Sequence, residues 1–147
     1  MSDNPLYKLQ EAVETAAELC IANPQVKVFS RRKGNVKNDI ESAIARIGVA
    51  VIVSAPLPLE YSASGVFNLY VDKATIALQI MENVALNKKA PNAFSLLTAL
   101  VKHFHNAVID IGNGQQITFT LDKVIDASPD EAPIVTLIQP LNFSITL

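Results

Sequence analysis

The sequence predicts an α+β fold: a mixed, mainly antiparallel sheet of about five strands with helices packed on one face. Three observations carry this. Apolar residues recur at helical spacing in three segments. Other segments alternate apolar with polar residues, as strands with one covered and one more open face do. The order is helix, strand, short helix, two strands, helix, two strands, and paired strands between helices favour antiparallel or mixed pairing.

Asn4 is placed to cap the first helix, with Pro5 at its first position. Leu6, Leu9, Val13, Ala16, Ala17 and Cys20 form its apolar stripe, and Lys8, Glu11, Glu14 and Glu18 its outer face. Asn23-Pro24 stops it. Val26 to Ser30 reads as a short strand, and Arg31 to Asn35 as an exposed turn. A second helix begins at Asn38 or Asp39, with Ile40, Ala43, Ile44 and Ile47 inward and Gly48 as its C-terminal cap. Val49 to Val53 lacks a polar break, which fits a strand buried on both faces; Pro56 and Pro58 end it.

Residues 59 to 67 read as a loop or a projecting hairpin tip. Asp72 to Leu86 alternates, with Ala74, Ile76, Leu78, Ile80 and Val84 on one face, and is read as one long strand, bulged near Glu82-Asn83. A helix is the rival reading, because Ala and Leu also favour helices. Asn92 caps a third helix over 93–109, with Phe94, Leu97, Leu100, Val101, Phe104 and Val108 as its stripe. Gly112-Asn113-Gly114 is a turn requiring positive φ. Ile117 to Leu121 and Ile134 to Leu147 are strands, the latter tied into the sheet, with a polar connection over 127–133.

The chain of 147 residues fits a single α+β domain over 1–147. It is 50% hydrophobic and 18% charged, against about 25% charged in typical domains. Its mean hydropathy is +0.27. The longest apolar run, Gly48 to Val53, is far short of the roughly 18 residues a membrane helix needs. Either a well-filled core or a large association surface accounts for the excess of apolar residues. A single cysteine excludes an internal disulfide framework, and the N-terminal residues carry no secretory pattern, so a cytoplasmic location is expected. A net charge of -2 argues against a dedicated nucleic-acid binder.

No residue pattern demands catalysis or a cofactor. His103 and His105 flank Phe104 and, on a helix, point about 200° apart, so they do not share a metal. Ser62 and Ser64 lack a nucleophile elbow. Gly112-x-Gly114 lacks both a third glycine and a preceding strand, which excludes a dinucleotide loop. Glu82 interrupts an apolar alternation. It is either an acid in a pocket or a charge that marks a bulge or deters wrong pairing. The charge distribution stands out: Lys27, Arg31, Arg32, Lys33, Lys37 and Arg46 supply six of the 12 Lys and Arg within twenty residues. Such a basic loop is either a solvated turn or a surface for phosphates or an acidic partner.

These segments together resemble the tail-terminator and neck (tail-completion) proteins of tailed bacteriophages and prophages. The resemblance rests on the helix from Pro5 to Ile21 and on Asp39-Ile40-Glu41 through Ile47-Gly48-Val49-Ala50-Val51-Ile52-Val53 to Pro56. It rests also on Ile80-Met81-Glu82-Asn83-Val84 with Asn87 and the helix at 93–109, and on the closing strands to Leu147. The helix at 39–47 departs from the simplest family pattern. The resemblance implies a virion-assembly subunit, without reaction or cofactor, that forms a ring, often of six, at the end of a tail tube. Its partners would be copies of itself, tail-tube and neck proteins and DNA passing through, in the host cytoplasm and the virion. A small adaptor or binding module is the alternative. Reversing Arg31, Arg32 and Lys33 to Glu is expected to block assembly without unfolding the subunit. Light scattering reads the first effect and circular dichroism the second.

Overall fold

The computed structural model describes residues 4–30, 36–57, 59–62, 70–112, 114–130 and 132–147. Along the chain run α1 (Pro5–Ile21), β1 (Lys27–Ser30), α2 (Val36–Arg46), β2 (Val49–Val53), β3 (Leu59–Ser62) and β4 (Tyr70–Asn83). They are followed by α3 (Ala93–His105), β5 (Val108–Asp110), β6 (Gln116–Thr118), β7 (Thr120–Leu121), β8 (Ile125–Asp126) and β9 (Ile134–Thr146). The expected α+β class is observed, with a mixed sheet. Its spine is the antiparallel pair of β4 and β9, matched from Tyr70↔Thr146 to Asn83↔Ile134. β2 and β3 lie in tandem along the free side of β4, β7 and β8 along that of β9. β1 joins β2 in parallel at the outer edge. β5 and β6 form a separate hairpin, closed by Gly112 (φ 92°) and Gly114 (φ 74°). No helix among the described residues is long and apolar enough to cross a membrane.

Strand alternation divides the sheet into two faces. Val49, Val51, Val53, Ala74, Ile76, Leu78 and Ile80 pack with Leu9, Val13 and Ala17 of α1 and Leu96, Leu100 and Phe104 of α3. The two long helices thus cover one face, as expected. The short α2 lies over the other, where Val36, Ile40, Ile52, Gln79 and Met81 line one cleft. This explains why β2 is buried at every position: it is the strand between α2 and the main core. The β4–β9 alternation identifies the strand and rules out the helical reading, but the strand ends at Asn83: residues 84–86 turn away, leaving Val84 exposed instead of on the buried face. The bulge falls between Val71 and Ala74, not near Glu82.

Two helices are turned relative to the sequence expectation. In α1, Gln10 and Glu14 are buried. Gln10 donates its side-chain amide to the Ser54 carbonyl at 2.9 Å, where β2 leaves the sheet. The Ser54 hydroxyl in turn accepts the Ala77 N–H at 2.8 Å. A polar strand end can therefore draw a polar side chain into the core, because an unpaired buried backbone group is costly. In α3, which ends at His105 so that Val108 falls in β5, the buried residues are Ala93, Leu96, Leu100 and Phe104. Phe94 is 64% exposed. Phe104 anchors an edge-to-face series, with centroids 5.8 Å from Phe119 and Phe119 6.0 Å from Phe143. It ties α3 to the β6–β7 bend and β9.

This phase has a direct test. Phe104→Ala is expected to cost about 3–5 kcal/mol, whereas Phe94→Ala should stay within about 0.5 kcal/mol of the parent protein. Urea unfolding of the two variants measures both; equal losses would contradict the orientation of α3.

Candidate functional site

The residues singled out for chemistry are held in other roles. Glu82 is 6% exposed. One carboxylate oxygen accepts the N–H of Ala93, the first residue of α3, at 3.0 Å; the other accepts the Asn87 side-chain amide at 2.6 Å. A carboxylate at a helix N-terminus meets both an unsatisfied N–H and the positive end of the helix dipole. Asn92 supplies the ordinary cap, accepting from the Ser95 N–H. Asn87 closes the junction: its carbonyl oxygen accepts the Ala90 N–H, and its amide also donates to the Pro91 carbonyl. Gly48, with φ 97°, sits against this turn. A Cβ there would lie 2.6 Å from the Asn87 nitrogen and 2.7 Å from its Cα. The Gly48 carbonyl accepts the Asn83 N–H at 2.7 Å. Glu82 is therefore the clamp between β4 and α3. It is not a bulge marker.

His103 and His105 are both exposed, and Cys20 is half-buried with its thiol donating to the Ala99 carbonyl. Burial pushes the Cys20 thiol pKa up, which disfavours the thiolate. No group of three His, Cys, Asp or Glu among the described residues is placed to hold a metal. Ser64, Gly65, Arg31, Arg32 and Lys33 lie outside the described residues.

The described part of the basic cluster is divided by α2. Lys27, exposed on β1, shares a shallow depression of about 470 Å3 with Phe29, Ser42, Ala43 and Arg46, and with Asp39 as the opposing charge. Lys37, in the first turn of α2, lines the separate cleft over Ile52 and Met81 beside Glu41. Sequence proximity therefore brings Lys27 and Arg46 together and sets Lys37 apart.

The opposite edge of the sheet is acidic and partly apolar. Asp122, Asp126 and Asp130 are exposed there, with Lys123 among them, and Val124 and Ile125 are 41% and 51% exposed. The hydroxyl and amide of Ser128 hold the Asp126 carboxyl below the usual carboxylate range, so it is charged at neutral pH. Beside β3 and β4 the open face of the sheet forms a groove of about 740 Å3 with a polar lining that includes Thr75, Thr118, Thr120, Asn142 and Ser144. Within it the Thr75 hydroxyl donates to the Asn142 side-chain oxygen at 2.8 Å. The sequence reading missed this groove. Its signal was present as Thr118 and Thr120 alternating with Ile117, Phe119 and Leu121, but only strand pairing brings β4, β6, β7 and β9 around one concavity.

No model of a known protein family matches the chain, and no curated protein matches it.

Replacing Glu82 with Gln turns an acceptor oxygen into a donor facing Ala93 N–H or Asn87. The expected cost is about 1.5–3 kcal/mol, seen as a lower urea midpoint with an unchanged slope. Parent-like stability would remove Glu82 from its role as clamp.

Proposed function

We propose that this chain is a structural subunit of a tailed phage or prophage particle, joining copies of itself into a ring of the tail-terminator or head–tail joining kind. The observation that carries the reading is the spread of large exposed apolar side chains over separate parts of the subunit. Leu19 is 75% exposed at the end of α1, and Phe94 and Leu57 are each 64% exposed. Val84 and Leu86 lie in the turn after β4, and Val124 and Ile125 at the far edge. Separate apolar patches suit a subunit that is covered by different neighbours on different sides.

The chemistry of the described residues agrees with such a role. Glu82 and Cys20 are occupied within the fold, and both histidines project into solvent. Copies of the chain would be the first partner, tail-tube and neck proteins the next. DNA passing through the ring would meet whatever basic surface lines it. The polar groove beside β3 and β4 favours a second reading, a binding module that accepts a polar segment on its open sheet face.

The purified protein should give, in light scattering across concentration, a species several times the 15.9 kDa chain mass. Negative-stain images of that species should show a closed ring with a central hole. A monomer at every concentration, together with saturable binding of a polar peptide in the groove, would favour the binding module.

A further inference from the structure

The two outer edges of the sheet carry opposite charge. At one, β1 exposes Lys27, and Arg46 of α2 faces the same depression. At the other, beyond β9, the segment from the end of β7 through β8 exposes Asp122 and Asp126. The strand order β1-β2-β4-β9-β7, with β8 beside β7 on the same side of β9, separates them by four interstrand steps. At about 4.8 Å per step that is roughly 19 Å, more than twice the screening length of about 8 Å at physiological salt. The two sets of charges therefore do not neutralise each other within one subunit. The basic side also holds a concavity, lined by Phe29 and Ala43 with the charges around it. The acidic side presents exposed apolar side chains to fill it, Val124 and Ile125, with Asp122 and Asp126 flanking them in sequence.

We infer that the β8 edge of one copy docks on the β1–α2 edge of the next, Ile125 entering the depression between Lys27 and Arg46 while Asp122 and Asp126 face those cations. This rests on the self-assembly reading above and assigns it a surface. The contact is head-to-tail, since it joins two different patches, and such a contact closes into a ring where the rotation between copies permits. The chain's net charge of -2 leaves little overall repulsion to oppose it. Asp39 on the basic side and Lys123 on the acidic side are the like charges each docked edge would meet. They limit the attraction and fix its register.

Two double variants test the contact, Lys27→Glu with Arg46→Glu, and Asp122→Lys with Asp126→Lys. All four side chains are exposed, so both variants should fold, as circular dichroism and urea midpoints will report. Each variant alone carries like charge on both edges, and its self-association should weaken by at least about tenfold. An equimolar mixture should recover the parent mass, because the edges of one variant then complement those of the other. Parent association should also weaken as salt is raised. Association retained by both variants would overturn this contact and leave the ring reading resting on another surface. Loss in both without recovery in the mixture would likewise overturn it. A parent chain that stays monomeric at low salt and high concentration would overturn the contact and the ring reading together.

Discussion

Antiparallel pairing of β4 with β9, continuous from Ala74↔Phe143 to Asn83↔Ile134, sets where the other elements lie. Both strands are long and half-buried, so a slip of one residue would turn Ile76, Leu78 and Ile80 outward together with Leu137 and Leu141. That cost fixes the register. With it fixed, the free side of β4 offers consecutive stretches to β3 and β2, and the free side of β9 does the same for β7 and β8. Among the described strands β1 pairs with β2 alone, which makes it the outer edge of the sheet.

The helices are attached to this frame by polar contacts as much as by apolar ones. Glu82, in the last turn of the ribbon's buried alternation, holds the first N–H of α3, and Gln10 holds the strand-end carbonyl of Ser54. These bonds decide the rotation of each helix. In α3 they favour Ala93, Leu96, Leu100 and Phe104 inward over the stripe that begins at Phe94. Gly48 allows the 83–91 turn to lie against the α2–β2 junction, so the same corner connects three elements.

Much of the architecture was legible because periodicity reports burial. The alternation from Ala74 to Ile80, the unbroken run Val49 to Val53, and the caps at Asn4 and Asn92 each correspond to the element they announced. Helix rotation was not legible where a polar residue belongs inside: Glu14 reads as a surface residue but is buried, and Gln10, also buried, bonds a strand end far away in sequence. The placement of α2 across the sheet was hidden for a similar reason. Ile40 and Ile44 show that it has an apolar face, not which side of the sheet receives it. The candidate surface followed the same division. The basic run was visible as a cluster, but only the fold pairs Lys27 with Arg46 in one depression and moves Lys37 to another.

A ribbon that fixes the sheet also fixes its two unlike edges, so the assembly proposed through those edges rests on the same register that builds the core. Hydrogen exchange measured at low and high protein concentration tests this most directly. The β4 and β9 amides should be the slowest at both concentrations, and added protection at high concentration should concentrate in residues 27–30 and 120–126. Protection that rises elsewhere while both edges stay unchanged would contradict assembly through the edges. Faster exchange in the ribbon than in α1 or α3 would contradict its place as the frame of the fold.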